Sequence, residues 1–204
     1  NEFKEIDDYA YSLGVEVIAC IQTLGHMEQY LRWQEAFEIK DTRRVMLCEE
    51  EKTYKFIETA IKFFSETLRS RKIHIGMDEA DEVGTGTYLI RNGHRDRCDI
   101  ISDHLDKVSE ICKKYDIFPM IWSDMYCRIG SKNYDHYDTE SRLDQSVIDR
   151  IPDVEMVYWD YYHYDCDFYR KIIQNHKRIG KPLTFASGIW MWDGLLPNIE
   201  YTYR

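Results

Sequence analysis

Two adjacent carboxylates, Asp78 and Glu79, follow a short apolar stretch in the segment Lys72–Ala80, which reads KIHIGMDEA. Successive side chains of a strand point to opposite faces, so the two can share one site only where the strand ends and the chain turns. Like charges held close raise the pKa of one group, which leaves one acid and one anion at neutral pH. We interpret the pair as a candidate for acid–base chemistry; a solvated acidic loop is the alternative.

His26 is a second candidate, in the segment CIQTLGHME at 20–28, just past the end of another predicted strand. A histidine there can contact a carboxylate that follows the next strand. The alternative is a structural histidine that only satisfies hydrogen bonds.

Tryptophans and acidic residues recur at or just after the predicted carboxyl ends of strands. Three groups occur: Trp122 with Asp124, Trp159 with Asp160, and Trp190 with Trp192. A single tryptophan at such a place is usually part of the core. Three groups together are typical of a sugar pocket, in which flat apolar rings contact C–H faces and acids bind hydroxyls.

Metal binding is the main alternative for the histidine and the carboxylates, but the sequence has no H-x-H or HExxH spacing. We therefore predict no metal site and no cofactor. The six cysteines are scattered without a CxxC pair, which predicts free thiols and a cytoplasmic location.

Composition excludes two classes of partner. The formal net charge of -10 argues against nucleic acid, because phosphate binding needs clustered Lys and Arg. No run of 18 apolar residues exists, so no membrane-spanning segment is predicted. The sequence leaves the oligomeric state open.

Helical and strand patterns alternate along the chain. Apolar residues at helical spacing predict four helices, at 3–13, 54–68, 101–115 and 168–179, and the polar segment before Pro152 is a candidate for a further short helix. Apolar runs predict five strands, at 15–21, 72–75, 119–122, 154–159 and 183–186. This alternation indicates a parallel sheet with helical crossovers.

Two architectures fit such a pattern, an open doubly wound sheet and a (β/α)8 TIM barrel. No glycine fingerprint for phosphates follows a strand, and GTGTY at 84–88 is not expected to open a helix. Polar and aromatic residues crowd the carboxyl ends of the strands, where a barrel has its active site, so we favour the barrel. Five strands do not close it, so residues 1–204 are expected to be part of a catalytic barrel domain whose first strands and last strand lie outside this sequence.

The segments that carry these residues resemble glycoside hydrolase family 20, the β-N-acetylhexosaminidases, in particular the bacterial branch related to the hexosaminidase D type. They are IACIQTLGHME at 18–28, HIGMDEADEVGTGTYL at 74–89, PMIWSDMY at 119–126, YWDYY at 158–162 and SGIWMW at 187–192. The resemblance implies removal of terminal β-linked N-acetylglucosamine or N-acetylgalactosamine from glycans, without a choice between the two sugars.

The resemblance also implies a substrate-assisted, retaining mechanism. Glu79 would protonate the leaving oxygen and later activate water. Asp78 would hold the N–H of the 2-acetamido group, whose own oxygen attacks the anomeric carbon. His26 would orient and tune the acid.

Further residues would bind the sugar by the same resemblance: Trp122, Trp159, and Trp190 or Trp192 would wall the pocket, and Tyr161 or Tyr162 would donate to the acetamido carbonyl. The chain departs from the more widespread family pattern at Met77, where a second glycine is usual. The arginine that grips the 3- and 4-hydroxyls, and the tryptophan and acid of the last strand, lie outside the sequence. A sugar-binding or inactive barrel fragment, or a metal-dependent amidohydrolase, are the competing functions.

Overall fold

A computed structural model describes residues 1–188 and 195–196. Trp190 and Trp192 lie outside the described residues. The chain divides into two compact units, residues 1–121 with 145–154, and residues 122–144 with those from 155 onward.

The first unit holds a parallel arrangement of three strands in chain order. Ala19 pairs with Ile73, and Ile73 in turn pairs with Pro119. The elements are α1 (Glu2–Ser12), β1 (Ala19–Cys20), α2 (Glu28–Leu31), a 3-10 helix (Gln34–Ile39), α3 (Glu51–Thr67), β2 (Lys72–His74), α4 (Thr87–Asn92), α5 (Arg97–Lys114), β3 (Phe118–Trp122, whose last residue belongs to the second unit) and α7 (Gln145–Ile148).

The long helices α3 and α5 begin at acidic caps and bury one apolar face. The Glu50 carboxylate accepts a hydrogen bond from the Lys52 amide, and that of Asp96 accepts one from the Cys98 amide. Such caps satisfy amide groups that have no partner within the helix. Ile57 and Ile61 on α3, and Leu105 on α5, are completely shielded from solvent.

The second unit holds α6 (Asp124–Ile129), β4 (Glu155–Trp159), α8 (Cys166–Ile179) and β5 (Leu183–Ala186). All five residues of β4 are buried, and β4 runs parallel to β5 with Trp159 opposite Ala186. The Asp165 side chain caps the start of α8, and Gly180 ends it in the left-handed conformation.

Two predictions about local structure are wrong. The strand predicted at 15–21 is reduced to Ala19–Cys20, because Val15 is 55% exposed and is not part of the ladder with β2. The segment GTGTY does open a helix, since Gly86 is the N-cap of the six-residue α4. Its loop amides nevertheless bind a side chain of this chain, as described below.

In each unit the strands are parallel, follow chain order and are joined by helices, as the barrel prediction requires. None of the described helices is both long and apolar enough to cross a membrane.

Candidate functional site

The chain turns sharply directly after β2, where the carboxylates lie. Gly76, Met77 and Glu79 all have positive φ angles, of 71°, 77° and 46°. For a residue other than glycine this conformation costs on the order of 1–3 kcal/mol and persists only where the surroundings enforce it. Met77 is fully buried, which anchors the turn. The predicted turn at the end of the strand is therefore confirmed.

Gln22, which the sequence analysis did not single out, fixes this turn from the loop after β1. Its Nε2 donates to Asp78 Oδ1 at 2.9 Å, and its Oε1 accepts from the Met77 amide at 3.3 Å. Thr23 Oγ donates to the Ile75 carbonyl at 2.8 Å. The loop after β1 thus holds the Asp78 carboxylate in one orientation, although the two are far apart in sequence.

Two glycines permit the close approach of these loops. A Cβ at Gly76 would lie 2.1 Å from Gln22 Oε1, and one at Gly25 would lie 2.3 Å from the Asp78 carbonyl oxygen. Any side chain at either position would push the loops apart.

Gly76→Ala should lower the free energy of unfolding more than Gly14→Ala does. Both glycines have a positive φ, of 71° and 73°, so backbone strain should destabilise both variants by about 1–2 kcal/mol. A Cβ at Gly14 would meet no atom of the described residues within 4 Å, whereas one at Gly76 would meet Gln22. We expect a further loss of roughly 1–3 kcal/mol from this overlap, measured by urea unfolding. Equal losses in the two variants would contradict the close packing of Gln22 on Gly76.

His26 contacts both carboxylates through a single nitrogen. Its Nε2 lies 3.1 Å from Asp78 Oδ2 and 3.2 Å from Glu79 Oε2. The hydrogen bond with Asp78 and then that with Glu79 raise the pKa of His26 to about 10. Burial alone would raise the pKa of Asp78, but hydrogen bonds from His26 and Gln22 outweigh it and lower that pKa. At neutral pH the site therefore holds an imidazolium and an ionised Asp78.

His26 should remain protonated well above neutral pH. Because its folded pKa is raised, its stabilising contribution is complete below its ordinary pKa of 6.5 and is lost as the pH rises through about 10. Nitrogen-15 NMR of the histidine rings measures this directly, and Asp78→Asn should move the His26 pKa toward 6.5.

His104 serves as an internal control for this titration. It is fully buried, its Nε2 lies 2.9 Å from the Thr23 carbonyl oxygen, and burial lowers its pKa to about 4. Between about pH 4 and pH 10 His104 should therefore be neutral while His26 is charged. Titration of His26 near pH 6.5 in the wild-type protein would contradict the ion-pair geometry.

The glycine-rich loop at 84–88 is organised by a carboxylate of this chain. The buried Asp41 side chain accepts hydrogen bonds from the amides of Gly84, Gly86 and Tyr88, at 2.8, 3.2 and 2.8 Å. These three donors are the kind that would otherwise cradle a phosphate. Asp41 occupies them, so the loop positions the chain after Glu79 and is not a phosphate site.

In the second unit, Trp159 and Asp124 are in contact. The indole Nε1 donates to Asp124 Oδ1 at 3.4 Å, and Asp124 is buried. Tyr161 stacks on Trp159, with ring centroids 5.7 Å apart. Trp122, the last residue of β3, is half-buried.

The acidic residue after Trp159 organises the loop that carries the two candidate tyrosines. Asp160 accepts hydrogen bonds from the Tyr158 hydroxyl at 2.8 Å and from the Tyr162 amide at 2.9 Å. Tyr162 is 43% exposed, whereas Tyr161 is half-buried against Trp159.

Two further rings lie against Trp159 and were not singled out in the sequence. The centroids of His136 and Tyr137 are 4.8 and 5.9 Å from that of Trp159. Both belong to a polar segment without periodicity. The adjacent His-Tyr pair is the only signal there that could have indicated them.

Within residues 1–188 and 195–196, no group of three or more His, Cys, Asp or Glu side chains is placed to hold a metal ion.

Comparison with known proteins places these observations in a family. Residues 1–143 match the sequence model of the glycosyl hydrolase family 20 catalytic domain. Hexosaminidase D from Bos taurus is 26% identical over 203 residues, which cover 94% of this chain and 53% of that protein. The chain thus spans about half the length of this curated relative.

Solved structures share the fold. A β-N-acetylhexosaminidase from Bacteroides fragilis aligns with a TM-score of 0.64 at 16% identity, over 94% of this chain and 36% of that one. A mutant Streptomyces plicatus β-hexosaminidase in complex with the product GlcNAc aligns with a TM-score of 0.60 at 17% identity, over 94% and 34%. Catalytic domains of this kind are TIM barrels, so the predicted (β/α)8 fold class is confirmed, and the described residues supply five of its strands with the helices between them.

Proposed function

Because this chain belongs to glycosyl hydrolase family 20, we propose that the protein of which it is part removes terminal β-linked N-acetylhexosamine from glycans, with retention at the anomeric carbon. The observation that carries the proposal is the contact of His26 with both Asp78 and Glu79. This contact holds the ionised Asp78 in a fixed orientation beside Glu79. The pair follows the carboxyl end of a strand, where the active sites of TIM barrels lie.

Glu79 is the proposed acid and base. Its side chain is about one-third exposed, so a leaving oxygen and later a water molecule can reach it. Protonating the leaving group and activating water are steps of the kind for which a positioned acid contributes roughly 10²–10⁴-fold.

Asp78 is the proposed partner of the acetamido group. Gln22 and His26 bind its two oxygens, and its lowered pKa keeps it ionised. A carboxylate held in this way suits binding an N–H group and stabilising a positive charge that develops beside it. The nucleophile is then the acetamido oxygen of the substrate, whose attachment to the same sugar supplies the proximity that catalysis needs.

His26 is proposed to orient both carboxylates, since its charged ring lies within 3.2 Å of each. It is a positioning residue and performs no proton transfer in this scheme.

The aromatic residues of the second unit are proposed to bind the sugar. Trp159 and Tyr161 form a stacked pair, and Trp122 offers a further half-buried ring. We retain Asp124, Tyr162, Trp190 and Trp192 as substrate-binding candidates. The Asp124–Trp159 hydrogen bond supports a role for Asp124 in setting the angle of the indole.

Cysteine chemistry supports the predicted cytoplasmic location. All six cysteines are free thiols. Burial raises the pKa of Cys112 to about 12, which keeps that thiol unreactive.

Hydrolysis by the full-length protein tests the proposed function. Aryl β-glycosides of N-acetylglucosamine and N-acetylgalactosamine should be cleaved with the β-anomer as the first product, followed by proton NMR. The corresponding β-glucoside should resist cleavage because it lacks the acetamido nucleophile. Binding of N-acetylglucosamine without hydrolysis would instead indicate a sugar-binding protein.

A further inference from the structure

The hydroxyl group of Tyr137 is buried among aromatic rings of the second unit. The Tyr137 ring lies beside four other rings. Its centroid is 5.9, 5.9, 4.9 and 6.5 Å from the ring centroids of Trp159, Tyr162, His163 and Phe168. The hydroxyl oxygen has no hydrogen-bond partner within the part of the chain that the structure describes. Buried hydroxyls nearly always have a partner, so this one calls for an explanation.

Neighbouring tyrosines show the ordinary arrangement. Tyr158 donates to Asp160 at 2.8 Å, and Tyr169 donates to the His163 carbonyl oxygen at 2.7 Å. Phenylalanine would fill the site of Tyr137 equally well without burying an unsatisfied group. Among the described residues, nothing compensates for the loss of hydration of this hydroxyl group, so its burial raises the free energy of the folded state relative to phenylalanine.

A ligand that brings an oxygen into the ring cluster would satisfy this hydroxyl. We propose that Tyr137 is a sugar-binding residue, which donates a hydrogen bond to a hydroxyl or carbonyl oxygen of the terminal N-acetylhexosamine. The inference rests on the proposed function. The Trp159 ring, 9% exposed, packs beside the phenol. Burial, and then the nearby Asp160 charge, raise the pKa of Tyr137, so the phenol stays protonated and acts as a donor.

Tyr137→Phe in the full-length protein tests the proposal, with Tyr169→Phe as the matched control from the same ring cluster. Tyr137→Phe should leave the melting temperature unchanged or raise it, since no bond within the described residues is lost. It should weaken N-acetylglucosamine binding, followed by titration calorimetry, on the order of tenfold. KM for an aryl N-acetylglucosaminide should rise by a similar factor with little change in kcat. Tyr169→Phe should lower the melting temperature and leave the sugar affinity unchanged.

Two results would overturn the proposal. Wild-type affinity in Tyr137→Phe would mean that the hydroxyl does not contact the sugar. A fall in melting temperature as large as that of Tyr169→Phe would assign the hydroxyl a structural partner. Neither result contradicts the proposed function, which is tested separately by whether the wild-type protein cleaves terminal N-acetylhexosamine with retention at the anomeric carbon.

Discussion

Glu79→Gln in the full-length protein should lower kcat by about 10²–10⁴-fold on glycans with a poor leaving group. The amide keeps the size of the side chain but cannot donate the proton that the leaving oxygen needs. Aryl glycosides with acidic phenols should lose much less in the glycosylation step, because their leaving group departs without protonation. Comparing kcat/KM for the two substrate types measures the difference.

Glu82→Gln is the matched control for this variant. It makes the same change three residues along the same loop, at an exposed side chain. It should leave both rates within about twofold of wild type, as surface substitutions do. Equal losses on the two substrate types in Glu79→Gln would show that Glu79 is not the acid.

Asp78→Asn should lower kcat by about 10²–10³-fold on every substrate, because the positive charge that develops on the acetamido group loses its opposed carboxylate. A thiazoline that mimics the cyclic intermediate should bind the wild-type protein far more tightly than N-acetylglucosamine does. The variant should lose thiazoline affinity much more than product affinity. A neutral amide mainly needs a hydrogen-bond acceptor, whereas a thiazolinium gains from the full charge.

The two ligands are internal controls for each other, since misfolding would weaken both alike. If Asp78→Asn weakened the binding of thiazoline and of product equally, this would argue against a charge-stabilising role of Asp78. A glycosyl ester on Asp78, trapped with a 2-fluoro sugar and seen by mass spectrometry, would identify it as a nucleophile instead.

The strand–turn element that carries the carboxylates could be predicted because its signals are local. An apolar run that ends at Gly76 and is followed by Asp78 and Glu79 requires a turn if the two carboxylates are to serve one site. The contact of His26 with Asp78 could also be predicted, because the carboxyl ends of parallel strands lie at the same edge of a sheet. The alternation of apolar helices and strands likewise predicted the barrel architecture.

The contacts that orient these groups could not be predicted, because they join loops distant in sequence. Gln22 binds Asp78 across 56 positions, and Asp41 binds the Tyr88 amide across 47. Neither residue type nor spacing indicates such a partner. Tyr137 lies in an irregular segment whose place beside Trp159 depends on tertiary packing.

The most direct test of the central claim is a comparison of aryl N-acetylglucosaminides in which the acetyl group carries no, one or three fluorine atoms. Fluorine withdraws electrons from the carbonyl oxygen and makes it a poorer nucleophile without changing the leaving group. If the acetamido oxygen attacks while Asp78 holds its N–H, kcat/KM of the full-length protein should fall steeply with each added fluorine. Rates that do not depend on fluorination would contradict substrate assistance and return the role of nucleophile to the enzyme.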